Sequence, residues 1–333
     1  MAAEASLRPT PADPSLKGYA QPRQLVALRD GRRINLFCLG SGSPTVIFTA
    51  GMFGWSAVWS KVQARIATRT RTCAWDRAGA GFSDPSVLPQ NALQSTADLQ
   101  QVLQRAGVNG PYVLVSYCAG SYETLLLTDH EPRAVAGMVL VDPSIPDQTR
   151  RLRALAPAFA AANTARLQQL SAHFRKCAAE LAGGTLGSGS ADADRCFDVP
   201  SSYPSDLRQA LIRLDGNPAR FLTRASAVEQ TDYSESVVHN DRRSYGAIPL
   251  VVLTASDALQ SSGIAPPAPA ERSAIDSEWR RSHDQLAGLS TDGTDIVVPD
   301  SNDLSPDVSP GVIIAAVDEV LDELRPQANS QAH

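Results

Sequence analysis

The sequence predicts an α/β domain built on a mostly parallel sheet. Short apolar runs with strand character alternate with longer segments of helical spacing, the pattern of strands joined by crossover helices. The chain has 333 residues, 43% of them hydrophobic, enough for one large domain or a core domain with an insertion. A third observation is the stretch V-L-V-S-Y-C-A-G-S, Val113 to Ser121, where a buried-strand run meets a helical run across a turn of small residues.

The elements follow in order. Residues 1–21 are polar, with Pro9, Pro11 and Pro14 and a further proline at 22, and are expected to be disordered. They lack the basic and apolar regions of a signal peptide. Strands are predicted over Gln24–Arg29 and Arg33–Leu39, joined by an Asp-Gly turn. A strand at Thr45–Thr49, a helix over Ser56–Ala67, a strand at Thr70–Trp75 and a helix over Ala97–Ala106 come next. Strand Tyr112–Val115 leads into a helix over 121–129, and Ala136–Val141 is another buried strand. From Asp142 to about Tyr245 the text turns Arg/Ala/Leu-rich and carries no strand run, so 144–245 is predicted as a helical insertion. Strand grammar returns at Ile248–Ala255. A helix over Glu271–Leu286, a strand at Asp295–Val298 and an amphipathic helix over Pro310–Leu324 complete the core, 22–143 with 246–325, and 326–333 is expected to be loose.

A net charge of −5 gives no reason to expect nucleic acid or an anionic membrane as partner. No apolar run reaches the length of a membrane span. A small molecule is the expected partner. Five cysteines admit two pairs, Cys38 with Cys73 and Cys177 with Cys196, leaving Cys118 over. They equally admit five reduced thiols. Pairing would imply an oxidising compartment, and reduced thiols the cytosol.

Ligands of such sheets sit beyond the carboxyl ends of the strands, so the turns there carry the chemistry. In the Val113–Ser121 stretch, Ser116 and Gly120 flank Cys118 at the spacing of a nucleophile elbow, where strand and helix nearly touch. The bland alternative is a buried free cysteine. After Thr45–Thr49 comes A-G-M-F-G-W. There the Met52 N–H can join that of Ala119 as an oxyanion hole. The glycines of D-R-A-G-A-G-F-S-D, Asp76 to Asp84, do not complete a dinucleotide fingerprint. Asp76 and Arg77 are expected to satisfy local backbone and each other, and no cofactor or metal is expected. Asp257, leaving Ile248–Ala255, suits the orienting acid of a triad. No histidine follows the last strand. Of the five, His239 is the least unsuitable stand-in for the base.

Taken together, G-S-G-S-P-T-V-I-F-T-A-G, C-A-W-D-R-A-G-A-G-F-S-D, G-P-Y-V-L-V-S-Y-C-A-G-S, V-A-G-M-V-L-V-D-P-S-I-P-D-Q and I-P-L-V-V-L-T-A resemble the α/β-hydrolase superfamily, in its bacterial esterase/lipase-like form. The resemblance runs from about Gln24 to Leu324. It implies an eight-stranded sheet with a helical cap after the sixth strand, and it supports a Cys38–Cys73 disulfide. By the same resemblance Cys118 takes the nucleophile's place, Asp257 the acid's, and Met52 and Ala119 the oxyanion donors'. The family's S-G-H-x-I motif lays its histidine on Asp303. Tyr117 precedes the nucleophile where the family often has histidine. Some relatives, such as dienelactone hydrolase, use cysteine but retain histidine.

A cysteine keeps some reactivity without a base, because a few per cent of a free thiol is thiolate at neutral pH. Its helix N-terminus is expected to lower the thiol pKa, and a nearby carboxylate to raise it. Asp257 and Asp303, if they face each other, would share a proton. The leading expectation is therefore a cysteine hydrolase or acyltransferase acting on an ester, lactone or thioester. The alternatives are a lyase, isomerase or hydratase using Asp303 as acid/base, and a pseudo-hydrolase that binds without turnover. Met52, Phe53, Trp55 and Tyr117 suggest an apolar or aromatic acyl group.

Overall fold

The computed structural model describes residues 13–186, 196–257, 264 and 266–325. The expected disordered start, up to residue 12, and the expected loose tail, 326–333, lie outside the described residues. Residues 13–21, expected to be disordered, are not: Pro14–Gly18 forms a 3-10 helix capped by the Asp13 carboxylate. Leu16 and Tyr19 are buried, and Tyr19 stacks on Phe37 with ring centroids 4.2 Å apart. Two apolar anchors outweighed the proline-rich composition.

Eight strands form one sheet: β1 (Gln24–Ala27), β2 (Arg33–Leu39), β3 (Thr45–Thr49), β4 (Thr72–Trp75), β5 (Tyr112–Tyr117), β6 (Val135–Val141), β7 (Leu250–Ala255) and β8 (Gly293–Val298). Their order is β1-β2-β4-β3-β5-β6-β7-β8. The β1–β2 and β2–β4 pairs are antiparallel and all others parallel. This is the mostly parallel eight-stranded sheet that the sequence led us to expect. Strand β5 runs past Val115 because Ser116 still pairs with Thr49 and Tyr117 with Val141. Their polar side chains hide that extension from the sequence.

Helices α1 (Ser60–Ile66), α2 (Ala92–Arg105) and α3 (Gly120–His130) alternate with the strands. Helix α2 starts five residues before the expected Ala97, because the Asn91 side chain accepts from the Gln94 N–H at 3.0 Å and caps it there. The central strands bury both faces, and their side chains alternate between two cores. Val46, Phe48, Val113 and Val115 pack with α1 and with a C-terminal helix, Pro310–Glu323. Ile47, Leu114, Met138 and Leu140 pack on the other side with Leu99 and Leu103 of α2 and Leu125 of α3. Each such buried Leu or Ile contributes about 1.5–3 kcal/mol.

Between β6 and β7 lie α4 (Gln148–Leu155), α5 (Pro157–Ala182), α6 (Ser205–Asp215), α7 (Pro218–Glu229) and α8 (Thr231–Val237). Arg220 of α7 ties this insertion to the turn after β4: its guanidinium donates to the carbonyls of Ser83 and Gly81, both at 2.8 Å, and to Asp215 at 2.9 Å. After β7, α9 (Pro269–Ala287) leads to β8, and α10 (Pro310–Glu323) closes the core. Cys38 and Cys73 face each other in the β2–β4 register and are disulfide-bonded, as are Cys177 and Cys196, while Cys118 is free. The paired reading of the cysteines, not the reduced one, is the one the structure holds.

Candidate active site

Strand β5 delivers Cys118 into a sharp turn. Its φ of 52° is left-handed, a conformation that costs a non-glycine residue about 1–3 kcal/mol and clusters at functional sites. Helix α3 begins two residues later, at Gly120. A Cβ on Gly120 would stand 2.6 Å from the Thr49 carbonyl oxygen, so nothing larger fits where helix and strand cross. The turn is tied across the sheet edge: Cys118 N–H donates to the Val141 carbonyl at 3.0 Å, and the Cys118 carbonyl accepts from Ser144 N–H at 3.1 Å. The thiol lies 3.7 Å from the Ser144 hydroxyl. Burial pushes the thiol pKa up; hydrogen bonds from Ser144 and the Ala119 N–H pull it down, and Asp142 raises it further. The expected lowering by the helix N-terminus is outweighed by desolvation.

The A-G-M-F turn lies against the elbow. A Cβ on Gly51 would come within 3.4 Å of Cys118 Cβ. Met52 packs beside Cys118 and Ala119. Arg77 grips this turn from behind: its guanidinium donates to the carbonyls of Ala50 and Gly51, both at 2.8 Å. Glu123 on α3 holds the guanidinium in a two-oxygen pair at 2.5 and 3.0 Å, and Ser95 donates to the same carboxylate. The expected Asp76–Arg77 pairing is therefore corrected. Fully buried Asp76 instead accepts from Asn35 and from the backbone N–H groups of Ser56 and Phe82. Arg77 braces the turn that carries the Met52 N–H.

The carboxylates are arranged differently from expectation. Asp257 is drawn to Arg272, 2.5 Å away, and does not line the cavity at Cys118. Asp303 accepts from the Ser305 N–H at 2.7 Å, a local turn, and its carbonyl accepts from Ser309. Each of the two carboxyls is thus held by another group, Arg272 and the Ser305 N–H. Asp303 raises the pKa of Asp142, a residue the sequence reading quoted in V-L-V-D-P-S without assigning it a role. Asp142 follows β6 with φ 41° and accepts from the Ala255 N–H and the Trp279 indole, both at 3.2 Å. Burial pushes its pKa up to about 6, against those two hydrogen bonds. Its position at a carboxyl strand end was the available signal.

Cys118 opens into a cavity of about 450 Å³, lined also by Met52, Phe53, Tyr117, Ala119, Asp142 and Ser144. Glu235 of α8 lines it too, buried and held by the Thr149 N–H and hydroxyl at 2.6 and 3.0 Å. Burial raises Glu235 to about 7. Nothing in the sequence around Glu235 marks it out. Trp55 does not line this cavity; it is buried among Tyr19, Phe82 and Tyr203, and borders a neighbouring cavity of about 540 Å³. No histidine is among the described residues that line the Cys118 cavity. His239 bonds Asp147 at 2.7 Å outside the cavity, and His283 is buried between Thr254 and the Pro143 carbonyl. Desolvation lowers His283 to about 4.

The family model described as "alpha/beta hydrolase fold" matches residues 44–190. The protein has the α/β-hydrolase fold. A thermophilic esterase from Thermogutta terrifontis superposes with a TM-score of 0.52 at 17% identity, covering 91% of this chain and 98% of that one. An enol-lactonase from Burkholderia xenovorans superposes with a TM-score of 0.54 at 14% identity, covering 90% and 100%. YqjL, an uncharacterized protein of Bacillus subtilis, is 34% identical over 108 residues, 32% of this α/β-hydrolase-fold chain. That match spans 43% of YqjL's length, and those to the next two curated relatives span 15% and 37%. The family-model match and the structural likeness agree on the α/β-hydrolase fold.

Proposed function

We propose that this α/β-hydrolase-fold protein is a cysteine-dependent hydrolase or acyltransferase acting on an activated acyl group. The observation that carries this reading is Cys118 at the strained elbow, opening into the same cavity as Asp142 and Ser144. Cys118 sulfur attacks the acyl carbonyl, and its proton passes to the Asp142 carboxylate. The oxyanion forms against the N–H groups of Met52 and Ala119, donors worth on the order of 3 kcal/mol each. Collapse expels the leaving alcohol or thiol, which takes the proton from Asp142. Water or an acceptor alcohol then attacks the thioester, releasing acid or ester and restoring the thiol. A carboxyl with a pKa about 6 is mostly ionised at neutral pH yet close enough to it to hold a proton briefly. Asp303 acts through its charge on Asp142. Asp257, paired with Arg272 and outside the cavity lining, takes no direct part. The esterase and enol-lactonase neighbours accord with an ester, lactone or thioester substrate.

The test is intact-mass measurement after exposure to p-nitrophenyl esters and acyl thioesters. A single acyl addition, absent in Cys118→Ala, is the expected result. Product release without any adduct on either protein would overturn it. A specific observation also favours a second reading, a binding protein without turnover: no histidine is among the described residues lining the cavity, and the thiol is pushed up. Ligand-induced stabilisation with neither adduct nor product would select that reading. The lyase or isomerase reading is weaker, because the Asp303 carboxyl is engaged by Ser305 and does not line the cavity.

A further inference from the structure

We propose that the Cys118 cavity receives an acyl compound carrying an anionic group, which Arg166 and Arg280 bind at the cavity mouth. This deepens, and rests on, the reading of Cys118 as the acyl-accepting centre. Both arginines line the cavity, yet both are solvent-exposed, which puts them at its opening. They come from different parts of the chain, Arg166 from α5 of the insertion and Arg280 from α9 of the core. Neither has an ion-pair or hydrogen-bond partner among the described residues. Their neighbours do: Arg151 and Arg281 hold Glu278, Arg272 holds Asp257, and Arg175 holds Glu229. These other arginines are thus consumed by carboxylates, while Arg166 and Arg280 have no such partner among the described residues.

A carboxylate in the same lining, Asp276, stands one helical turn before Arg280. Its nearest cation is Arg272, at 3.9 Å, so it does not neutralise either guanidinium. The cavity is also polarised along its length. Asp142 is half-buried beside the thiol, the guanidiniums are exposed, and Leu152, Phe159 and Ile275 form an apolar cluster in the same lining. An anion is repelled from the thiol end and attracted to the mouth. A substrate with a reactive carbonyl, an apolar middle and a charged far end fits that polarity in one orientation. A guanidinium fork suits a carboxylate or a phosphate alike. The shared chemistry is an anionic group, sited on the acyl chain or on the leaving group.

The experiment compares kcat/KM for matched charged and neutral substrates. One arm uses the p-nitrophenyl hemiester of adipic acid against its methyl-capped diester. The other uses acetyl-coenzyme A against acetyl-N-acetylcysteamine. Wild type should prefer the charged member of at least one pair, and which pair it is locates the anion. That preference should fall about 5-fold in Arg166→Gln or Arg280→Gln and about 25-fold in the double variant, the size expected of exposed ion pairs. Equal use of charged and neutral partners, or a preference that survives in the double variant, overturns the proposal while leaving Cys118 chemistry standing. If neither pair is turned over, the acyl-transfer reading fails separately. Calorimetric binding of monomethyl adipate and coenzyme A to wild type and double variant then decides the arginine site. Weaker binding to the double variant supports it, and equal or absent binding overturns it.

Discussion

Cys118 is where opposing effects meet. Its left-handed backbone and the crossing of β5 over α3 expose the sulfur to the cavity, while burial and Asp142 keep it protonated. A thiol in that setting reacts slowly but measurably, and a hydroxyl would hardly react, since no imidazole lines the cavity among the described residues. Cys118→Ser should therefore lower p-nitrophenyl ester turnover by on the order of 100-fold or more, because an alcohol is a far weaker nucleophile than a thiol where only a carboxylate is at hand to take its proton. Equal rates in the serine variant would remove sulfur from the mechanism. The pH–rate profile should rise as Asp142, the proton acceptor, ionises, with an inflection near its pKa of about 6. Asp142→Asn keeps an oxygen for the Ala255 and Trp279 donors but removes the charge that raises the thiol. Its Cys118 should react with iodoacetamide at lower pH than in wild type, even as ester turnover falls. An unshifted alkylation profile would mean that Asp142 does not act on the sulfur.

At the scale of elements, the turn after β3 depends on a brace from elsewhere in the chain. Arg77 satisfies the Ala50 and Gly51 carbonyls and is itself fixed by Glu123 at the start of α3. One guanidinium thus couples the two turns that carry Met52 and Ala119. Arg77→Met fills similar space but leaves two carbonyls and a buried carboxylate without their donor, costing about 3–5 kcal/mol as a broken buried pair. We expect a lowered Tm and a kcat reduced more than KM is raised, because an oxyanion donor acts chiefly in the transition state. A KM effect alone would mean that the turn does not carry such a donor. These long-range ties mark the limit of what the sequence discloses. Strand runs such as Thr45–Thr49 and Val135–Val141 are legible because local apolar periodicity and burial coincide. The elbow is legible because its small residues are adjacent in sequence. The partners of Arg77 and Asp257 are not, since Glu123 and Arg272 meet them only after folding. Asp142 was overlooked for the opposite reason. It stands in plain view beside Pro143, and only its left-handed backbone and its place at a strand end separate it from an ordinary loop aspartate.

The molecule as a whole carries a set of buried titratable groups whose signs differ. Glu235, at about 7, and Asp142, at about 6, are acids raised by burial, so the folded state binds more protons than the unfolded one above their ordinary values. Each contributes stability that is present at low pH and is lost as pH rises through the folded pKa. His283, lowered to about 4, works in the other direction: its contribution is present above its ordinary value of 6.5 and is lost as pH falls toward 4. The opposing losses overlap between about pH 4 and 7, where the two raised acids outweigh the one lowered histidine, so the summed contribution of the three falls as pH rises. Glu235 gives the cleanest test, because its two acceptor oxygens are held by one residue, Thr149, and the nearest shifting charges, Asp232 and Asp147, are secondary to burial. Glutamine at this position removes the ionisation while its carbonyl oxygen accepts from the Thr149 N–H and its amide donates to the Thr149 hydroxyl oxygen, so any remaining packing cost does not depend on pH. The informative quantity is therefore the change with pH in the stability of Glu235→Gln relative to wild type, measured by urea unfolding from pH 4.5 to 8. The variant should gain on wild type as pH rises, by up to about 3 kcal/mol across the range, the equivalent of a pKa raised from 4.5 to about 7. A difference that stays flat with pH would mean that Glu235 ionises in the fold as freely as in the unfolded chain.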